Sequence, residues 1–500
     1  MDILKANFKD AYKQFETILK QASLIAIDLE MTGIRGRPER YCDTADERYS
    51  KNREVAQKYR IIQFGITLFV KVSDSYTAYP FNSYVMQDEA YRQGYIGMEV
   101  SALQFLTEHG MDFNKWIKEG VAYIGKYDEE NLQRDDSHDI LNDPIKLHEK
   151  KYQEETEKEF ELIEKLVKDG KEDRHFIPTA NSYIRKYYHQ QIANKYPNYV
   201  LEKAFQDKIE GIVMRKPLSL QEKEEMAKIK EQENWNKVGF RNVFKAICNS
   251  HLPIVGHNCF YDFLFLYCSF EEQPPESLLE YKTAFAKLFI ETYDTKYMVC
   301  DKKVNDITKL FYQDTILETI YGHMLKQEFP KITIAACYDK YSKGSSCHEA
   351  GYDSYITGYS FLKMAYILKD DFKKYKGMIN CHNGTFIYNM YGTDFIKNDT
   401  FVVTSSDEKY LAGIYKKIEI FKDYATIRMH DEKNAIFVVF DQCSPKGQEE
   451  LLEFMKKDTK LKIGNWQDYS DIRLMPSSDE DKSKHHFRGN KNRKFNKKDK

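Results

Sequence analysis

Five side chains at three places in the chain have the types and spacing for phosphoryl chemistry. They are Asp28 and Glu30 in Asp28-Leu29-Glu30, Asp262 in Asn258-x-x-Tyr261-Asp262, and His348 with Asp353 in His348-x-x-x-x-Asp353. Four carboxylates and one imidazole in this order are what a two-metal phosphodiesterase needs. Carboxylates brought within a few ångströms raise one another's pKa and stay ionised only where cations neutralise them. Hard oxygen donors suit Mg²⁺, with Mn²⁺ as an alternative. Two such ions, roughly 3.5–4 Å apart, would clamp the attacking water and the leaving oxygen of an in-line displacement. His348, with an unperturbed pKa of about 6.5, suits the role of general base near neutral pH. Taken singly the motifs are cheap: among 78 acidic residues a D-x-E arises by chance. Asp262 alone would read as a helix N-cap, and His348 as a loop residue. The information lies in the ordered set.

The flanking residues supply the elements. Leu24-Ile25-Ala26-Ile27 is a short apolar run bounded by polar residues, read as a buried strand that carries Asp28 and Glu30 at its end. Residues two apart on a strand share a face, so both carboxylates would point into one site. Pro253-Ile254-Val255-Gly256-His257 reads as a strand leading into a turn, and Phe260 to Phe270 as an apolar helix with Asp262 in its first turn. The stretch from Gly351 through Ala365 is apolar on one face and helix-compatible, which puts His348 just ahead of that helix or in its first turns.

With these residues in view, the chain resembles the DEDD 3′→5′ exonucleases of RNase H-like fold, in their DEDDh branch, and within it the poly(A)-specific ribonuclease family. The similarity is carried by Met1-Asp2-Ile3-x-x-x-Asn7-Phe8-Lys9, Ala26-Ile27-Asp28-x-Glu30-x-x-Gly33-Ile34, Asp43-Thr44-x-x-Glu47-Arg48-Tyr49 and Gln63-Phe64-Gly65. It continues through Asp112-Phe113-Asn114-Lys115, Val238-Gly239-Phe240, Ile254-x-Gly256-His257-Asn258, Asp294-Thr295-Lys296 and His348-Glu349-Ala350-Gly351-Tyr352-Asp353. By the resemblance, Asp28, Glu30, Asp262 and Asp353 would be the metal ligands and His348 the base. It also implies 5′-monophosphate products released from a free 3′-OH, a preference for adenosine, and a homodimer formed through the catalytic domain.

Composition agrees with a multidomain intracellular enzyme. Hydrophobic residues make up 42% and charged residues 31%, no apolar run approaches a membrane span, and no signal peptide is evident at the amino end, so no membrane partner is expected. Nine cysteines without a C-x-x-C pair read as reduced thiols rather than a disulfide framework or zinc site. The net charge of −2 does not advertise nucleic acid, but Lys482 to Lys500 is a basic stretch of disordered composition, fit to hold RNA phosphates, to serve nuclear import, or simply to stay solvated. The expected location is nucleus, cytoplasm or both.

Between the first two motifs lies more chain than a minimal exonuclease needs. Glu154 to Lys168 is patterned as an amphipathic helix, residues 218–236 form a second charged helical run, and Gly211 to Met214 is a candidate strand. Arg185 and His189, four apart on one helical face, resemble the small Arg-x-x-x-His single-stranded-nucleic-acid module that the family carries as an insertion here. Beyond residue 395 the order strand 400–404, helix 408–417, strands 418–421, 424–429 and 435–440, helix 448–456 and strand 461–466 is close to βαββαβ. This matches an RNA-recognition motif provided that 424–429 and 435–440 form one bent element or a hairpin. Lys433 to Phe440 partly matches the stacking strand, with Phe437 and Phe440 as candidate RNA contacts and Ala435 where an aromatic is expected. The family's cap-binding tryptophan is absent from Asp407-Glu408-Lys409-Tyr410, which puts cap recognition in doubt unless Tyr410 substitutes.

The expected architecture is an α/β, RNase H-like exonuclease core at 1–150 and 237–395, interrupted by a small α/β nucleic-acid-binding domain at 151–236. An RRM-like α+β domain at 396–475 and a basic tail at 476–500 would follow. The expected activity is Mg²⁺-dependent 3′→5′ exoribonuclease action on single-stranded RNA, shortening poly(A) tails. The alternatives are trimming of small non-coding RNA 3′ ends and an RNA-binding scaffold with an inactive site; the acids alone also leave a deoxyribonuclease open.

Overall fold

The computed structural model describes residues 2–465 apart from 40–42, 89–94, 134–144, 148, 170–173, 207–208, 217–218, 309–314, 342–347, 383, 397–399, 406, 408–409, 411–412, 415, 417–424, 432–434 and 441–444. The chain divides into two compact units, one made of Met1–Lys126 with everything from Val238 onward, the other of Tyr127–Lys237.

The first unit is built on a mixed sheet. Its strands run in the order Asp2–Ile3, Ser75–Gln87, Ile61–Val72, Leu24–Met31, Ile254–Gly256, Thr292–Asp294. The central three pair antiparallel, whereas Ile254–Gly256 and Thr292–Asp294 join parallel to Leu24–Met31. Leu24 to Ile27 are all buried, as expected of a central strand covered on both faces. One cover is the helix Ala350–Leu368, buried along nearly its whole length. On the other side Phe64 meets Phe240 and Phe270, and Phe15 of the helix Phe8–Leu19 meets Phe81 edge-on at 5.6 Å.

The approach of Ala350–Leu368 to the sheet depends on Gly65. A Cβ there would lie 1.8 Å from the carbonyl oxygen of Ala350, so any other residue would push the helix away. The freed closeness lets strand side chains serve the first backbone N–H groups of the helix, which have no partner within it. Ala350 N donates to Gln63 Oε1 (3.3 Å) and Gly351 N to Asn82 Oδ1 (3.2 Å), while the Ser354 and Thr67 hydroxyls meet at 2.8 Å.

The second unit packs the helices Lys150–Asp169 and Ser182–Lys195 on a three-stranded antiparallel sheet ordered Arg174–Pro178, Ile209–Arg215, Val200–Gln206. Ile163, Ile177, Ile184, Tyr188, Ile192, Ile212 and Met214 form its core. It begins at Tyr127, earlier than the expected 151. The reason is visible in residues 145–147, which belong to it: Ile145 N donates to Gln190 Oε1 at 2.9 Å, Tyr183 Oη donates to the carbonyl of Lys146, and Leu147 packs on its core.

After the helix Ala350–Leu368, a small antiparallel sheet (Met378–Asn380, Phe386–Asn389, Phe395–Ile396) precedes a four-stranded antiparallel one. The latter runs in the order Ala425–Asp431, Ala435–Phe440, Thr400–Thr404, Lys462–Asn465, with the helix Pro445–Lys456 before its last strand. Ala425–Asp431 and Ala435–Phe440 are two strands of one antiparallel pair. The strand expected at 418–421, much of the helix expected at 408–417 and the tail 476–500 lie outside the described residues.

Candidate active site

The sheet and two helix starts bring all five candidate residues together. Asp28 and Glu30 lie on the central strand opposite Gly65 and Gln63. Asp262 stands in the first turn of Phe260–Leu266, a helix that continues through a wider π-turn at Tyr267–Glu271. Asp353 occupies the first turn of Ala350–Leu368, with His348 just before it. Carboxylate oxygens of Glu30 and Asp353 and a ring nitrogen of His348 lie within 4.8 Å of one another. Among the influences on Asp262 is the backbone of Leu29, between the two strand acids, which lowers its pKa.

Burial and mutual repulsion dominate the electrostatics. Burial, then the charges of Asp353, Asp262 and Glu30, hold the Asp28 carboxyl far above the ordinary range, and Glu30 is raised in the same way by burial, Asp353 and Asp262. Burial pushes Asp262 and Asp353 each up to about 7. Among the described residues no lysine or arginine is among the influences on any of the four. A cluster of half-buried carboxylates that raise one another's pKa has the donor chemistry of a divalent-ion site, so Asp28, Glu30, Asp262 and Asp353 fit Mg²⁺ or Mn²⁺.

Two of the positions are held by unusual backbone. Asn258 and His348 take left-handed φ values of +56° and +63°, a conformation that costs a non-glycine residue energy and clusters at functional sites. Asn258 is pinned by Asp294, a fully buried acid that accepts from the backbone N–H of Asn258 (2.8 Å), Lys296 (2.9 Å) and Asn380 (2.9 Å). Asn380 Nδ2 also donates to Asn258 Oδ1 at 3.0 Å. Motif reading gives Asp294 no task beyond its place in the Asp294-Thr295-Lys296 stretch that carries the resemblance.

The imidazole of His348 packs against a pair of touching rings that motif spacing did not single out. Phe105 and His109, one turn apart on Val100–Glu108 and its cap, meet it edge-on with centroids 4.6 and 4.2 Å away. Burial, then the neighbouring His109, lowers the pKa of His348, keeping the ring neutral and able to accept a proton at pH 7.

The remaining candidates lie elsewhere. Arg185 and His189 share the helix Ser182–Lys195 of the second unit. There Arg185 Nη1 is paired with Glu210 Oε1 at 2.6 Å, Lys203 Nζ also meets that oxygen at 2.5 Å, and burial with Arg185 lowers the pKa of His189. Phe437 and Phe440 are three positions apart on one strand, and its pairing opposite Arg428 and Ala425 runs without a shift between them.

Residues 3–361 match the CAF1 family ribonuclease pattern. The chain belongs to the CAF1 ribonuclease family. It is 27% identical over 418 residues to poly(A)-specific ribonuclease PARN of Xenopus laevis, covering 77% of this chain and 65% of the frog protein. It is 29% identical over 401 residues to the human PARN, covering 73% and 62%. It is 27% identical over 384 residues to the pre-piRNA 3′-exonuclease trimmer of Bombyx mori, covering 73% and 71%. The chain thus spans less than two thirds of the frog and human proteins. The expected kinship with the poly(A)-specific ribonucleases is borne out, and with it the mixed α/β, RNase H-like CAF1 core. Among the described residues no helix is long and apolar enough to cross a membrane.

Proposed function

We propose that this CAF1-family chain is a divalent-metal-dependent 3′→5′ exoribonuclease that shortens poly(A) tails. The observation that carries the reading is the meeting of Asp28, Glu30, Asp262 and Asp353, four acids largely withdrawn from solvent with no lysine or arginine among the described residues acting on them, beside a neutral His348. The four carboxylates would hold Mg²⁺ or Mn²⁺, in the two-ion arrangement expected from their number. A bound divalent cation neutralises the acids and withdraws charge from the scissile phosphate. His348 accepts a proton from the water whose oxygen bonds to phosphorus. The bond to the 3′-oxygen of the penultimate nucleotide breaks, and the last nucleotide leaves as a 5′-monophosphate. Adenosine preference is supported by the names of the frog and human relatives.

A second substrate reading has its own support, since the Bombyx mori relative is named as a trimmer of pre-piRNA 3′ ends and is matched over more of its length. For the regions outside the core, the sheet order of 400–465 supports an RRM-like domain, and the compact 127–237 unit supports a separate single-strand-binding module. A homodimer and a nuclear or cytoplasmic location rest on kinship alone.

The test is a time course with Mg²⁺ on 5′-labelled RNA ending in adenosines, beside an equal RNA with a mixed tail and an Asp28→Ala control. A ladder shrinking from the 3′ end on the adenosine tail and stalling on the mixed one establishes a deadenylase. Equal shortening of both establishes a trimmer, and wild-type inactivity with both Mg²⁺ and Mn²⁺ sinks the enzymatic reading.

A further inference from the structure

Tyr261, the neighbour of Asp262, turns its hydroxyl away from the carboxylates and toward Glu39, 3.1 Å from Oε1. The other oxygen of Glu39 accepts from Arg48 Nη1 at 2.8 Å, and the same nitrogen donates to the backbone oxygen of His382 at 2.7 Å. Arg48 Nε stands 3.4 Å from Asp43 Oδ2, and Lys51 Nζ bonds both oxygens of Asp43 at 2.7 and 2.8 Å. With its amide turned so that Nδ2 faces this corner, Asn52 donates to Glu39 Oε1 (2.9 Å) and to the Tyr261 hydroxyl (3.0 Å). Arg48 and Asp43 are each 1% exposed.

Two cations and two anions thus balance one another beside the site. Well-packed apolar side chains in place of such a set are often neutral or even stabilising, so fold stability does not account for it. Its connections do. The set ties together the segment that leaves the Asp28–Glu30 strand, the helix Ala45–Lys58 and the helix start that carries Asp262. It also reaches the 380–382 stretch, whose Asn380 holds Asn258 and Asp294.

We infer that the Arg48–Glu39–Tyr261 chain is a positioning device for Asp262, fixing the approach of its carboxylate to Asp28 and Glu30 and with it the site's hold on a divalent cation. Arg48 is anchored at two points besides Glu39, so Glu39 is a fixed acceptor rather than a mobile surface acid. The Tyr261 hydroxyl then sets the rotation of the first turn on which Asp262 stands. Metal-site ligands are commonly oriented by such outer hydrogen bonds. The inference rests on the metal-dependent reading above, and its readout is separable from RNA cleavage.

The experiment uses the full chain and two variants, Tyr261→Phe and Glu39→Gln, with Phe15→Leu in the helix Phe8–Leu19 as a core-destabilising control. Mn²⁺ binding is titrated by electron paramagnetic resonance without RNA, and Tm, kcat and KM on a 3′-hydroxyl oligoadenylate are measured in parallel. Tyr261→Phe and Glu39→Gln should weaken Mn²⁺ binding by ~10-fold or more, within the range seen when outer hydrogen bonds to metal ligands are removed. Their kcat should fall in step at unchanged KM, whereas Phe15→Leu should lower Tm and leave Mn²⁺ affinity alone. Wild-type Mn²⁺ affinity in Tyr261→Phe, or an equal loss of affinity in Phe15→Leu, overturns the positioning role. A wild type that binds Mn²⁺ but leaves RNA intact overturns the functional reading only, and the role is then decided by the Mn²⁺ titrations. A wild type that binds no Mn²⁺ overturns both.

Discussion

His348 donates its backbone N–H to Asp353 Oδ2 at 3.1 Å, so the proposed base and one of the proposed ligands are locked together by main chain, independently of the imidazole. Replacing the ring therefore leaves the lock in place. His348→Ala should keep the fold and RNA affinity but lose the proton acceptor, with kcat falling ~10²–10⁴-fold at near-constant KM. The wild-type pH profile, recorded with saturating Mg²⁺, follows from the lowered pKa of His348. The base form is present above that pKa, so kcat should fall on acidification at a pH below the ordinary histidine value of about 6.5. An acid limb at or above that value contradicts the assignment.

The carboxylate cluster predicts an inverted pH dependence of metal-free stability. Asp262 and Asp353 sit near 7 in the folded chain against an ordinary 3.8. Between those values the folded state binds more protons than the unfolded one, so this contribution to stability falls as pH rises through the window. In chelator, Asp262→Asn should melt higher than wild type at pH 7.5, and the gap should close toward pH 4.5. Added Mg²⁺ should raise the wild-type Tm, because a ligand of the folded state alone stabilises it by mass action, ~2.7 kcal/mol at 100 times Kd. The same variant should lose most of that rise. Melting curves by circular dichroism read both effects, and a wild type indifferent to Mg²⁺ at pH 7.5 counts against the metal site.

Gly65 offers a test of how the fold positions the chemistry. Its added Cβ would stand 1.8 Å from the Ala350 carbonyl oxygen, a backbone atom that moves only with its helix. Gly65→Ala should cost at least the ~1–3 kcal/mol typical of overpacking. It should also displace His348 and Asp353 from Glu30, lowering kcat more than the loss of folded protein explains. Activity corrected for the folded fraction makes the distinction, and a destabilised but fully active variant would mean that the close approach serves packing alone.

The parts of the site that the sequence disclosed are those fixed by local periodicity. Leu24 to Ile27 is apolar without a break because its strand is covered twice, and Asp28 and Glu30 share a face because a strand alternates. Asp262 and Asp353 follow from helix starts. What stayed hidden depends on contacts between distant residues whose types are unremarkable. Arg48 meets the carbonyl of His382, 334 positions away, and Asp294 caps a turn at Asn258 and a strand at Asn380. Phe105 and His109 belong to none of the motifs, and only the fold lays them beside His348. The start of the inserted unit is not legible because residues 127–147 lack apolar periodicity, and residues 145–147 join the unit through two hydrogen bonds and the single apolar contact of Leu147.

The second unit carries the last prediction. Arg185 is, with His189, one of the residues expected to bind single-stranded RNA, yet its guanidinium is paired with Glu210, which Lys203 also engages. A phosphate must compete with that carboxylate, so the wild-type unit should bind single-stranded RNA weakly, and Arg185→Ala should change affinity little. Glu210→Gln removes the competitor and leaves two cations side by side. Binding of an oligoadenylate should then tighten several-fold at low salt, with the slope of log K against log salt steepening by about 0.7 for each new phosphate contact on a single strand. Fluorescence anisotropy across a salt series, on the full chain carrying Asp28→Ala to prevent cleavage, reads both quantities. An unchanged affinity and slope in Glu210→Gln would remove Arg185 from the RNA path and leave its ion pair as a local fold contact.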